Sequence, residues 1–410
     1  MATIRKRSGA YQFRTSLGYD SKGQQITKST TWKPPKEMTA KQAEKEATHQ
    51  AALFEERARN GELTDGNTRF SDYVDHWVKI NSGRYAPKTI QRYKQLLERV
   101  VAALGHIKLC ALKPHHLENF YMSLTENGAN KHTGGGLSDR TIHHLHRVVS
   151  IVLGDAFRKG YTSKDASKMV TPPKPSKKAV AYLDELDVKR VVDALLLEPI
   201  KWVTAILLLL YTGIRRGELI GLKWSDIDLD NKIIYIRRTV QYLCGETPKQ
   251  ANIKIIHKTA KGCVIEKSPK NTSSERVVAI GDSEIAVLKS YRSWWLQQKL
   301  INGDRWIETD SLFIRENGGQ MFPDTVNEFI KRFRNKNNLP QFTPHSLRHT
   351  NASLLISRGV DIQAVSSRLG HNNATTTCTI YAHEIKSANA RAAEKINDIL
   401  NVHIEENASF

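Results

Sequence analysis

The residues best suited to chemistry are cations and one hydroxyl, and they stand in four short stretches. Arg215 follows a tight Thr-Gly turn in TGIRRGELIGLKW, at what reads as a helix start. Glu218 lies one turn on, close enough to hold its guanidinium. His345 and Arg348 stand in FTPHSLRHT, where i,i+3 spacing puts both on one face of a helix that Pro344 begins. His371 closes SRLGH, where Gly370 supplies a turn that can expose it, and Tyr381 follows ten residues later in TTTCTIYAH. Together these groups could neutralise one phosphate and activate a phenol beside it. Taken singly, each is ordinary. Arg-x-x-Glu is usually a surface ion pair, His-x-x-Arg a solvated pair, and a tyrosine part of a core or its rim. Their joint order and spacing carry the argument.

Other routes to phosphate chemistry leave no trace in the sequence. There is no G-x-x-x-x-G-K-[ST] loop and no G-x-G-x-x-G after a strand. Nothing resembles the close carboxylates of a two-metal nuclease. If a DNA backbone is cut here, side chains must neutralise its charge.

Arg215 in TGIRRGEL, His345 and Arg348 in HSLRHT, His371 in LGH and Tyr381 in TIYAH resemble the motif series of the tyrosine recombinase (phage integrase) family. The resemblance covers most of 171–399. The segments before it are similar to the N-terminal parts of lambda-type and conjugative-transposon integrases. It implies that Tyr381 attacks a scissile phosphate in line, forming a 3′-phosphotyrosyl bond and freeing a 5′-hydroxyl. A phenol titrates near pH 10 unperturbed, so it needs cations and a proton acceptor nearby. On this reading Arg215 and Arg348 clamp the non-bridging oxygens, while His345 and His371 hydrogen-bond the phosphate, with His345 favoured for proton transfer.

The family also uses a lysine on a β-hairpin as general acid, and Lys270 in SPKNTSSERVV matches that position best. Lys258, Lys261 and Lys267 compete, because 239–267 is longer than the minimal family hairpin. The ester stores the bond energy, so neither metal nor cofactor is implied. The implied partners are duplex attachment sites, a homo-tetramer on two DNA sites with a C-terminal helix (386–400) exchanged between protomers, and an accessory bending or excision factor. Strands would be exchanged in pairs through a Holliday junction on behalf of a mobile element. A type IB topoisomerase would share the Arg/His/Tyr chemistry but act as a monomer, and a non-catalytic DNA-binding protein could keep the same scaffold.

The elements that must position these groups suggest a multidomain chain. Residues 1–65 read as a small α+β arm-type DNA-binding domain: a three-stranded sheet, with strands at 10–18 and 24–32, and a helix over 39–60 that Thr39 caps. Arg5, Arg7 and Arg14 are its candidate DNA contacts, among further lysines. Residues 69–165 are helical throughout, with helices over 70–80, 88–104, 114–126 and 138–159, the last capped by Ser138; this fits an all-α core-binding (SAM-like) domain. Lys88 and Arg92 on its second helix and Arg140, His144 and Arg147 on its last are further candidate DNA contacts. The Pro/Lys-rich TPPKPSKKA marks a boundary. From 175 to 400 a mixed, mainly α catalytic domain with a small antiparallel sheet is expected, with helices over 184–196, 201–212, 216–222 and 283–298 and strands near 233–239, 264–267 and 275–280. A tail occupies 401–410.

Bulk composition agrees with a polyanionic partner. The sequence has 62 Lys and Arg against 42 Asp and Glu, a net charge of +20, and each phosphate neutralised releases condensed counterions. The four scattered cysteines form no disulfide framework or zinc spacing. The N-terminus lacks the apolar run of a secretory signal, and no stretch is long enough to span a membrane. A cytoplasmic, nucleoid-associated protein is expected.

Overall fold

A computed structural model describes residues 2–19, 23–35, 37–59, 68–176, 182–245, 247–248, 253–267, 275–370 and 396–397. The chain divides into two compact units, 1–177 and 178–410, where the sequence suggests three domains. The first unit nevertheless holds two separate apolar cores.

The smaller core belongs to an antiparallel sheet in the order β1 (Thr3–Arg7), β2 (Ala10–Tyr19), β3 (Gln25–Trp32). Ser8 and Gly9 join the first two strands with positive φ of 43° and 76°, the twist-matched two-residue turn of a tight hairpin. Helix α1 (Ala40–Arg59) begins at a reciprocal cap. The Gln42 amide donates to the Thr39 hydroxyl at 3.4 Å, and the Thr39 amide donates to Gln42 Oε1 at 3.0 Å. Ala43, Ala47, Ala51 and Phe54 recur at helical spacing and pack on Tyr11 and Phe13.

The second core lies among α2 (Phe70–Asn81), α3 (Pro87–Leu104), α4 (Pro114–Ser123) and α5 (Asp139–Arg158). Proline opens both α3 and α4, where its missing N–H costs nothing. Two details differ from the sequence reading. Helix α4 stops at Ser123, three residues short of the expected end. Ser138 precedes α5 as expected, but its hydroxyl bonds the Thr141 hydroxyl at 3.0 Å rather than a backbone amide.

In the second unit, α6 (Glu185–Leu195), α7 (Ile200–Thr212) and α8 (Arg216–Gly221) come first. Nine of the 13 residues of α7 are buried, so it is apolar all round and runs through the core. It packs against α9 (Asp282–Asn302) and α11 (Pro344–Ser357). Helices α10 (Pro323–Lys336) and α12 (Ile362–Leu369) flank α11 in sequence.

Two three-stranded antiparallel sheets replace the single small sheet expected. Strands β4 (Ile227–Asp228), β5 (Ile233–Ile236) and β9 (Arg276–Ala279) pair in that order, and β6 (Thr239–Cys244), β7 (Ile253–Thr259) and β8 (Gly262–Lys267) pair as β6-β8-β7. The expected strand 233–239 is broken because Arg237 and Arg238 both turn onto the buried Asp226 carboxylate. The segment 239–267 therefore builds its own sheet. Val264 on β8 joins the main core, whereas Cys263 and Ile265 meet Leu243 on the opposite face. A strand buried on both faces loses its polar alternation. The strand expected near 264–267 is nevertheless the end of β8, whereas a bulge between Ile255 and His257 hides β7.

Candidate active site

The α7–α8 turn delivers Arg215. Gly213 ends α7 in the left-handed region with φ 63°. A Cβ at that position would lie 2.5 Å from Leu369 Cδ2 and 2.9 Å from Asn351 Oδ1. Glycine is required both for the turn and for the approach of α11 and α12. The last carbonyls of α7 are taken up by those helices: Asn351 donates to the Leu210 and Tyr211 oxygens at 2.8 and 2.9 Å, and Arg368 donates to Tyr211 O at 3.0 Å.

Arg215 occupies the N-cap of α8, and Glu218 sits at N3. One Glu218 oxygen accepts from the Arg215 guanidinium at 2.9 Å; the other accepts from the Arg215 amide and from Arg276 Nη2, each at 2.9 Å. Burial pushes the Glu218 carboxyl up, but Arg276 and then Arg215 outweigh it and hold the pKa below the usual range. Arg215 also donates from Nη2 to Gly370 O at 3.1 Å, yet its side chain stays 44% exposed. Its guanidinium has five donors, so some remain for an incoming oxyanion.

Arg348 is 2% exposed and donates to Gly213 O at 2.7 Å, gripping the turn that delivers Arg215. On the same helix Thr343 accepts the Ser346 amide at 3.2 Å as N-cap, and Pro344 takes the first position. His345 is exposed in the first turn, where the helix end favours anions. Its Nε2 lies 3.1 Å from Nε2 of the buried His349, with the rings edge-on. Burial, then the charges of Arg348 and Arg215, hold the His345 pKa below its ordinary value. His345 is therefore a neutral imidazole near pH 7, able to accept or pass a proton.

The structure thus brings Arg215, Glu218, His345 and Arg348 together. Lys270, His371 and Tyr381 lie outside the described residues, as does the expected helix 386–400 apart from 396–397, which are helical. The chain approaches two of them from this cluster: Gly370, one residue before His371, ends α12 with φ 68°, and Arg276, six residues after Lys270, opens β9. Among the competing lysines, Lys258 lies on β7 and Lys267 at the end of β8, while Lys261 is in the turn between them. Sequence reasoning missed Arg276, Arg368 and His349. Their partners are too distant in sequence, or too local within a motif already explained, to stand out.

The other candidate contacts lie on exposed faces of the first unit. The strand register sets Arg14 opposite Thr3 and Gln12 opposite Arg5, so Arg5, Arg7 and Arg14 share the face turned away from α1. Lys88 and Arg92 on α3 and Arg140, His144 and Arg147 on α5 are all exposed. Burial and then the charges of Arg140 and Arg92, with His143 and Arg147 after them, lower the His144 pKa, which places cations of both helices around one ring.

The family model described as "Phage integrase family" matches residues 181–387, half of the chain, and spans Arg215, Lys270, His345, Arg348, His371 and Tyr381. The chain belongs to the phage integrase family. As a tyrosine recombinase it cuts and rejoins DNA. A second model, "Phage integrase, N-terminal SAM-like domain", matches 69–125, which covers α2 to α4.

Full-length relatives of this integrase include a "Tyrosine recombinase XerC-like" protein of Caldanaerobacter subterraneus subsp. tengcongensis, 28% identical over 95% of this chain and 96% of its own. The ICEBs1 integrase of Bacillus subtilis is 24% identical over 98% of this chain and 100% of its own. Among solved structures, the Tn1549 transposon integrase in complex with a circular intermediate DNA superposes with a TM-score of 0.62 at 20% identity, covering 80% of this chain and 99% of that one. A lambda integrase tetramer bound to a Holliday junction gives 0.54 at 17% identity over 91% and 96%. At these identities the structures establish a shared multidomain fold, helical with small antiparallel sheets. Among the described residues, no helix is long and apolar enough to cross a membrane.

Proposed function

We propose that Arg215, Lys270, His345, Arg348, His371 and Tyr381 form one active site that integrates and excises a mobile element. Tyr381 Oη gives its proton to His345 and attacks the scissile phosphorus, and the P–O5′ bond breaks, leaving a 3′-phosphotyrosyl ester and a 5′-hydroxyl protonated by Lys270. Arg215 and Arg348 bind the non-bridging oxygens, whose charge grows in the transition state. A 5′-hydroxyl from the partner strand then reverses the reaction. Two rounds exchange the strands through a Holliday junction in a tetramer, with the C-terminal helix passed between neighbours in a closed ring.

One observation supports this reading best. Glu218, Gly370 O and Gly213 O hold two arginines in place at the point where the chain leads toward His371 and Tyr381. Such a prearranged cationic pair suits a phosphate transition state. The remaining chain is read as two grips on DNA. Residues 1–65 bind arm-type sites through Arg5, Arg7 and Arg14, and 69–165 hold the core site through Lys88, Arg92, Arg140, His144 and Arg147. The relatives of conjugative and transposable elements favour a similar element as host, with an accessory bending or excision factor setting direction.

The test is a nicked suicide duplex carrying the attachment site, analysed on a denaturing gel. The wild type should form a covalent protein–DNA adduct and Tyr381→Phe none. An adduct with Tyr381→Phe refutes the nucleophile, and none with the wild type on a verified site refutes the catalytic reading.

A further inference from the structure

We propose that Arg276 is a positioning residue of the strand-cleavage reaction: through Glu218 it aims the Arg215 guanidinium, and through the Arg368 carbonyl it fixes the turn leading to His371. The inference rests on the active-site reading above and adds a residue to it that does not touch DNA. Arg276 opens β9, and its backbone is set by pairing with Ile236 of β5. Its side chain is only 7% exposed. From that fixed base Nη2 donates to Glu218 at 2.9 Å and Nε donates to Arg368 O at 2.8 Å. A Cβ on Gly370 would lie 3.0 Å from Arg276 Nη1, so the turn rests on the guanidinium itself.

These contacts close a ring. Arg215 meets Glu218, Glu218 meets Arg276, Arg276 meets Arg368 O, and two residues on, Gly370 O returns to Arg215. The Glu218 oxygen bound to Arg276 is also the one that accepts the Arg215 amide. Without Arg276 that oxygen would lose its strongest partner, and the carboxylate could turn away from Arg215. A lysine keeps the charge but not the flat fork that serves a carboxylate and a carbonyl at once. The position therefore calls for arginine, and its effect on DNA passes through Arg215.

The experiment compares wild type, Arg276→Lys, Arg276→Gln and Arg215→Ala on two suicide duplexes. One carries an ordinary scissile phosphodiester and the other a neutral methylphosphonate, which needs less cationic stabilisation. Strand cleavage is timed with all DNA bound. Both Arg276 variants should cleave the phosphodiester about 10- to 100-fold more slowly than wild type, with lysine the milder. On the methylphosphonate the deficit should shrink about tenfold or more, as it should for Arg215→Ala. Equal slowing on both duplexes, or no cleavage of either, would mean a merely structural role and overturn the proposal. If instead Arg215→Ala gains nothing from the neutral substrate, the clamp assignment fails, whatever Arg276 does.

Discussion

The arginines of the catalytic unit and those of the first unit carry the same charge in opposite settings. Arg348 and Arg276 are buried, and each guanidinium bonds a backbone carbonyl, with Glu218 added for Arg276. Arg5, Arg7, Arg140 and Arg147 project from a sheet face and a helix face into solvent. Buried cations cannot relax toward an anion or be screened, so they act on the reaction with little reorganisation. Exposed ones are screened within about 10 Å at ordinary salt. On the proposed reading they contribute affinity through counterion release and carry no geometry of their own. A net charge of +20 thus reports the second group and says little about the first.

The largest effect is expected at Glu218. Glu218→Gln takes the carboxylate from the buried Arg276 as well as from the half-exposed Arg215, and loss of one partner of a buried pair costs about 3–5 kcal/mol. Urea unfolding should register a loss of that size; a change below about 1 kcal/mol would place the cluster with the surface pairs.

A buried histidine of the same cluster should also set a pH dependence. His349 is buried, and burial together with His345 and Arg348 lowers its pKa from 6.5 to about 4. In the unfolded chain the ring takes up a proton below 6.5 that the fold refuses until about 4. Its contribution is therefore intact above that window and lost as pH falls through it. The midpoint of thermal unfolding should drop across this range in the wild type and drop less in His349→Gln. Parallel curves would contradict a buried neutral ring.

The smallest effect is expected at the sheet face. Arg14→Ala should lower the slope of log affinity against log salt by about 1 on arm-type DNA, with the cleavage rate of bound core sites unchanged. A slower rate in the bound complex would erase the distinction between the two groups.

Local patterns made much of this legible. Arg-x-x-Glu places Glu218 at N3 of the helix that Arg215 caps, and Thr-Pro before His345 marks the start of α11. The helix expected over 201–212 matches α7 (Ile200–Thr212). What stayed hidden depends on pairs far apart in the chain. Arg276 meets Glu218 across 58 residues, and Arg348 meets Gly213 across 135. Side-chain spacing carries no information about such contacts. Of the sheet β6-β8-β7, the expected strand near 264–267 is most of β8, whereas β7 stayed hidden because a bulge interrupts it and removes the two-residue alternation that marks a strand. Arg276 did leave one signal, a cation opening the apolar strand RVVA, though nothing local says which carboxylate it answers.

If the arginine cluster serves one nucleophile, peptide mapping will find DNA on a single residue. Protein trapped on a nicked attachment-site duplex would be digested with protease and nuclease, and the nucleotide-bearing peptide sequenced by mass spectrometry. The phosphodiester should be found on Tyr381, in the peptide containing TIYAH. Attachment to any other residue, in a protein that cleaves its site at the normal rate, would contradict it.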